Sequence, residues 1–223
     1  MDSKKIIEQN KNVYDRIASL FAQTRKYLWD DLKPLKKYMR HGYRVLDIGC
    51  GTGRLYHLFK DFQGIEYTGL DQSEKQIAEA KKDFPQNTYV VAEMTDLPFN
   101  DCSFDIIYCI AAFHHLPDEK YRLKALHEMK RVSKSGHYII MTNWNLYSKS
   151  AQKNVGSGKW EVEREIFWYH GWMRGVKFSV NVIITDLLWT SWLNCLKRPN
   201  LKLKNNIIQK KADAVASMTR GIW

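Results

Sequence analysis

The feature that most constrains this chain is the run Tyr43-Arg44-Val45-Leu46-Asp47-Ile48-Gly49-Cys50-Gly51-Thr52-Gly53-Arg54-Leu55. Its first half is a β-branched, apolar strand. Three glycines at alternate positions then lead into helically spaced Leu55, Leu58 and Phe59. A strand, a glycine turn and a helix start in this order form a seat for a nucleotide or another anion. Glycine admits backbone angles that a Cβ forbids, and it lets a ligand approach the main chain closely. The dinucleotide fingerprint requires glycines spaced G-x-G-x-x-G. From Gly49 the sixth position is Arg54, and from Gly51 it is Tyr56, so that reading fails on spacing. Asp47 lies inside the motif, and eighteen residues past Gly53 a second apolar strand, Tyr67-Thr68-Gly69-Leu70, ends in Asp71. A carboxylate there can take both hydroxyls of a ribose. The plainer use of Asp71 is as a turn or N-cap residue, because Gln72-Ser73-Glu74 begins a helix; the ribose reading is preferred.

Beyond the loop the pattern predicts strands over 66–70, 88–91, 104–110 and 138–142, with helices over 73–84 and 118–132. Ser73 followed by Gln76 forms a capping-box pattern for the first of these helices. Alternating strands and helices with apolar strands imply an α/β fold with a doubly wound, mostly parallel sheet covered on both faces. Ligands of such sheets bind beyond the carboxyl ends of the strands, where the strand order reverses. Asp47, Asp71, Glu93 and the segment Ile110 to His115 all fall at strand ends of that kind. Upstream, Ile6 to Lys26 carries Val13, Ile17, Leu20 and Phe21 as a helical stripe, so this segment packs on the domain or covers the site. A second helix is expected over 30–38, starting near Pro34.

Val45 to Gly53 and Asp71, followed by Val90-Val91-Ala92-Glu93-Met94, Leu97-Pro98-Phe99, Ser103 to Ile107 and His114-His115-Leu116, resemble the class I S-adenosylmethionine (SAM) dependent methyltransferases over residues 13–143. The resemblance implies a Rossmann-like fold and SAM as cofactor. It places the methionine end on Asp47 and the glycines Gly49, Gly51 and Gly53, the ribose on Asp71 beside Gln72, and the adenine on Glu93 and Met94. Glu93 stands where the family usually has Asp, one methylene shorter. Ile110 and Tyr14 join the expected cofactor contacts, Tyr14 because the N-terminal segment caps the cofactor in that family. The chemistry of a sulfonium methyl belongs to the cofactor, so neither a nucleophile nor a metal constellation is needed, and no metal ligands are assigned.

Phe21-Ala22-Gln23-Thr24-Arg25-Lys26-Tyr27-Leu28-Trp29, the His114-His115 pair and Arg122 to Leu126 are similar to one subgroup, the tRNA wobble-uridine carboxymethyl methyltransferases. That likeness implies a modified uridine of tRNA as acceptor, with Arg25 and His114 as the residues that meet it. Asn143 and Trp144 are further candidates. A guanidinium fork suits a carboxylate or phosphate, though a surface ion pair is the plainer use of an arginine. The resemblance leaves open whether an activating partner subunit is required.

At 223 residues the chain suits one α/β domain. Its four cysteines, at 50, 102, 109 and 195, have neither metal nor disulfide-framework spacing, which fits a reducing, cytoplasmic setting. The first residues lead into no apolar h-region, and the run Ile106 to Phe113 is too short to span a bilayer, so no membrane association is expected. The net charge of +11 invites a nucleic-acid reading, but residues 145–223 hold 13 Lys and Arg against 5 Asp and Glu. The basicity lives in the tail.

That tail does not fit the resemblance. Six of the eight tryptophans lie after residue 145, and the subgroup's Arg-Tyr-Tyr-His motif is absent. Back-translating Asn181 to Leu187 and reading from the third base of each codon yields RYYHRF. Continued through Leu203, the same frame permits LDELAELFEEAEFEIE, in which Trp189 followed by Thr190 forces the aspartate. The chain is therefore divided into an N-terminal helical cap (1–42), a SAM-binding core (43–145) and an atypical tail (146–223) read as out of frame from about 166. A divergent tail is the simpler alternative. On the out-of-frame reading, little packing is expected beyond Ile166, the family's final hairpin is missing, and the fifth strand is left as an exposed edge. Two other functions remain open at this point. One is a small-molecule or quinone-type methyltransferase; the other is a remnant that binds SAM without activity.

Overall fold

A computed structural model of the chain describes residues 2–144, and beyond them the backbone of three strands, 160–163, 166–169 and 178–184. Helix α1 spans Ser3–Thr24, with the Asp2 carboxylate capping its start by accepting from the Lys4 N–H. A 3-10 stretch, Asp30–Tyr38, follows. Strand β1 is Arg44–Ile48, β2 Glu66–Asp71, β3 Thr88–Val91, β4 Phe104–Ile110 and β5 Ser133–Trp144. Helix α2, Glu74–Asp83, lies between β2 and β3, and α3, Glu119–Val132, between β4 and β5. Ser73 caps α2 by accepting the Gln76 N–H, and Asp118 caps α3 by accepting the Tyr121 N–H, as short polar side chains at helix starts do.

The sheet runs β3-β2-β1-β4-β5, with every neighbouring pair parallel. The order reverses between β1 and β4, and a crevice opens there at the carboxyl ends. Alternation along the strands sends Val45, Tyr67, Ile106, Tyr108 and Ile140 to one face, where they pack with Leu32, Leu35, Met39, Leu55, Leu58 and Phe59. The intervening Leu46, Leu70, Ile107, Cys109 and Ile139 are equally buried. Strand β4 is buried at six of its seven positions, as a central parallel strand must be.

Four expectations change. The segment after the glycine loop is a five-residue 3-10 turn, Arg54–Leu58, which suffices to bury Leu55 and Leu58. Pro34 sits inside the 30–38 stretch instead of starting it; that stretch is 3-10, and the ring's missing N–H costs it one bond. On α1, Val13, Ile17 and Leu20 are 40%, 36% and 47% exposed, while the helix buries Ile6 and Ala18. The two faces of this helix carry similar periodicity, and its hydrogen bonds to α2 and to the turn after β4 decide which one turns inward. Finally, the edge of β5 is paired. Strand β8, Phe178–Ile184, runs antiparallel along it from Tyr138↔Ile184 to Trp144↔Phe178. Backbone ladders are indifferent to side-chain identity, so an apolar, β-branched run can occupy this edge whatever its reading frame. Strands β6 (Trp160–Glu163) and β7 (Ile166–Tyr169) form a separate antiparallel pair. The expected weak packing beyond Ile166 concerns side chains outside the described residues.

Candidate active site

The glycine loop is held in place from both ends. The N–H groups of Gly49 and Cys50 donate to the Leu70 carbonyl at 2.7 and 3.0 Å, tying the loop to the end of β2. Gly49 has φ +69°, and a Cβ there would lie 2.3 Å from the Ala112 Cβ, so the turn after β4 occupies the space a side chain would need. Asp71 completes the arrangement. One of its oxygens accepts from the Gly51 N–H and the other from the Ser73 N–H, each at 2.9 Å. Asp71 is thus a turn residue and a site residue at once, since each oxygen keeps a lone pair for a further donor.

Asp47, 2% exposed at the end of β1, accepts a 2.6 Å hydrogen bond from the Tyr67 hydroxyl. Burial pushes its carboxyl up to about 7; the Tyr67 hydrogen bond opposes that shift, the Asp71 charge adds to it and the Arg54 charge offsets it. Asp71 is raised too, chiefly by burial and against its backbone hydrogen bonds. Two desolvated carboxylates side by side favour a ligand bearing donors or positive charge.

Helix α1 closes one side. The Tyr14 hydroxyl and His115 Nε2 are 2.9 Å apart, the Asn10 amide donates to the His115 carbonyl, and Ser73 Oγ donates to Asp15. Burial, with the Asp71 charge next, pushes the Tyr14 phenol up to about 12, and burial lowers His115 to about 4. This pair is therefore neutral and structural near pH 7. The turn after β4 is strained at Ala111, φ +54°, where the N–H is held by both the hydroxyl and the carbonyl oxygen of Thr142 at 3.0 Å.

One pocket gathers most of the residues expected from sequence. Asp47, Gly49, Gly51, Asp71 and Gln72 line it, and so do Glu93, Met94 and Ile110. Tyr14 and Arg25 close it from α1 and its C-cap. Gly53 lies just outside the lining, with φ +73° at the start of the 3-10 turn. His115 is on the wall, whereas His114, expected to meet the acceptor, is not among the lining residues and packs against His115 at a tilt of 41° with ring centroids 4.4 Å apart. The side chains of Asn143 and Trp144 are outside the described residues. Phe21, Trp29 and Arg54 also line the pocket; all three fall within longer runs read from the sequence, but not as site residues. Arg54 follows the last glycine directly, which was the one available signal; its partner Trp29 is 25 residues away. Among the described residues no group of three or more His, Cys, Asp or Glu could hold a metal ion, and no helix is long and apolar enough to cross a membrane.

The glycine loop, Asp47, Asp71 and Glu93 line one crevice, and residues 46–141, which carry them, match the family model of the methyltransferase domain. Those residues form a methyltransferase domain. It is 34% identical over 142 residues to a candidate methyltransferase of Encephalitozoon cuniculi, covering 63% of this chain and 64% of that one. To the tRNA (carboxymethyluridine(34)-5-O)-methyltransferase of Arabidopsis thaliana it is 33% identical over 132 residues, 59% of this chain and 31% of the relative. It is also 29% identical to the 2-methyl-6-phytyl-1,4-hydroquinone methyltransferase of Synechocystis, over 66% of this chain and 47% of the relative. The chain thus spans less than two thirds of the length of each of these relatives. Among solved structures, a candidate methyltransferase in complex with the Haloferax volcanii Trm112 methyltransferase activator superposes with a TM-score of 0.51 at 27% identity, covering 58% of this chain and 59% of that one. The methyltransferase domain and the pocket coincide: every strand end that lines the pocket lies within the matched residues.

Proposed function

We propose that this chain is an S-adenosylmethionine-dependent methyltransferase whose acceptor is the carboxymethyl group of a modified wobble uridine in tRNA. The observation that carries the cofactor half is the convergence of Asp47, Asp71 and Glu93, from the ends of β1, β2 and β3, on one glycine-lined pocket. Asp47 would hold the cofactor's ammonium, Asp71 with Gln72 its ribose, and Glu93 with Met94 its adenine edge. These residues fit the group. Asp47 is a buried carboxylate on the pocket wall, held by the Tyr67 hydroxyl, and the main chain at Gly51 is bare of a side chain. When bound, SAM supplies a transferable methyl on a sulfonium. A carboxylate acceptor is already ionised near neutral pH, so the protein's task is to orient and desolvate it, with no general base required. Arg25, at the pocket mouth with its guanidinium 4.8 Å from the Phe21 ring centroid, suits that task.

The acceptor half is supported by the likeness to the Arabidopsis tRNA enzyme. The Synechocystis relative favours a second reading, a quinone-type acceptor. Mass spectrometry of tRNA nucleosides and of quinones from a deletion strain separates the two. Accumulation of the unmethylated carboxymethyl uridine is expected, whereas unchanged tRNA with an undermethylated quinone overturns the tRNA assignment. The companion assay in vitro is run with and without a Trm112-type activator, because the Haloferax protein is found in complex with one.

A further inference from the structure

Arg54 is the first residue beyond the glycine loop, and it points its guanidinium at the face of Trp29, 3.7 Å from the ring centroid. The Arg25 guanidinium lies over the same indole, 5.8 Å from its centroid. Two guanidiniums thus share one aromatic ring. A ring face answers the π surface of a guanidinium but leaves the in-plane N–H fork to find acceptors of its own. In Arg54 one end of that fork is not answered. Its Nη1 is buried with no hydrogen-bond partner among the described residues. The Asp47 carboxylate, the opposing charge that acts on it, already accepts from Tyr67. Burial lowers the Arg54 pKa to about 9, the Arg25 charge adds to that, and Asp47 offsets only part of it.

A desolvated donor on a charged group is costly when left unmet, and a second cation nearby raises that cost. The arrangement makes sense as a half-built site whose missing part is an anion. Its chemistry can be narrowed. The fork of an arginine matches the two oxygens of a carboxylate or a phosphate. Asp47, Asp71 and Glu93 line the same pocket, and their field disfavours a doubly charged phosphate more than a singly charged carboxylate. The neighbouring Leu28, Leu32 and Leu55 are apolar, which strengthens a single charge-assisted pair.

We propose that Arg54 and Arg25, which share the Trp29 ring, form a seat for one carboxylate in the methyltransferase pocket. This rests on the methyltransferase reading for its two sources: the amino-acid carboxylate of the cofactor, or the carboxymethyl group of the acceptor.

The full chain and its Arg54→Gln and Arg54→Lys variants are titrated by calorimetry with S-adenosylhomocysteine and with 5′-methylthioadenosine, which keeps the nucleoside and thioether but has no carboxylate. Protein saturated with S-adenosylhomocysteine is then titrated with 5-carboxymethyluridine and with uridine. Arg54→Gln is expected to weaken one carboxylate ligand on the order of tenfold, the loss of one charge-assisted hydrogen bond, while methylthioadenosine and uridine are unchanged. Arg54→Lys falls between, keeping the charge without the fork. Loss confined to S-adenosylhomocysteine assigns the seat to the cofactor, and loss confined to carboxymethyluridine assigns it to the acceptor. If neither carboxylate ligand is weakened, or methylthioadenosine weakens as much as S-adenosylhomocysteine, the seat is overturned. An unsubstituted chain that binds neither adenosine compound removes the cofactor reading and the seat together. Normal binding that Arg54→Gln leaves untouched removes the seat alone.

Discussion

The carboxylate of Asp71 accepts the N–H of Gly51 at 2.9 Å, so the end of the second strand holds the middle of the glycine loop that follows the first. Its other oxygen accepts the Ser73 N–H. One side chain therefore shapes the cradle and presents a polar group to whatever lies in it. Asp71→Asn leaves one of these two donors facing an amide N–H₂. A loss of about 1–3 kcal/mol in chemical denaturation is expected, the cost of a buried donor left unmet. Affinity for S-adenosylhomocysteine should fall further than that loss alone explains. An Asn variant with wild-type stability and affinity would show that neither bond matters.

Gly49 and Gly42 separate backbone strain from close approach. Both have positive φ, +69° and +74°, but a Cβ at Gly49 meets Ala112 at 2.3 Å whereas one at Gly42 meets nothing within 4 Å. Gly42→Ala should cost about 1–2 kcal/mol, the left-handed penalty alone. Gly49→Ala should add about 1–3 kcal/mol of overpacking and abolish ligand binding. Thermal unfolding of the two variants side by side checks the difference, and equal losses would contradict the packing of the loop on the turn after β4.

Asp47 gives stability a pH dependence of unusual sign. Its carboxyl is raised from 3.8 to about 7, so between those values the folded state holds a proton that the unfolded state has released. Stability from this group is therefore fully present below the unfolded value and is lost as pH rises towards 7. His115, lowered from 6.5 to about 4, works in the opposite direction over part of that range. The Asp47 share is read as the difference between the wild type and Asp47→Asn, measured by denaturant titration from pH 4 to 8. The Asn variant should gain relative to wild type as pH rises and hold that gain above 7. A difference that does not vary with pH contradicts the raised carboxyl.

Much of this site was legible because its signals are local. Alternating glycines, an acidic residue at or just past the ends of β1, β2 and β3, and the Ser73 to Gln76 cap are all short-range patterns. What was not legible is set by distance. The inward face of α1 depends on hydrogen bonds to α2 and to the turn after β4, more than fifty residues away, and the apolar stripe Val13, Ile17 and Leu20 gave no hint of its exposure. The Arg54 and Trp29 pair is long-range in the same way. The short 3-10 turn at Arg54–Leu58 escaped because two buried leucines satisfy either helical period.

The tail carries a prediction about nucleic acid instead of protein. Residues from about 166 onward are expected to be out of frame, and the coding DNA should read RYYHRF when shifted across Asn181 to Leu187. Sequencing that region checks it. Codons incompatible with that frame contradict the reading and leave a divergent tail, whose strand β8 already pairs with β5.

The measurement that bears most directly on the whole account is a calorimetric titration of the full chain with S-adenosylhomocysteine, repeated on Asp47→Ala. Saturable one-to-one binding is expected, and the substitution should remove it while circular dichroism shows the fold retained. An intact protein that takes up no ligand, or an Asp47→Ala protein that binds it as well as the original, would contradict the assignment of this pocket.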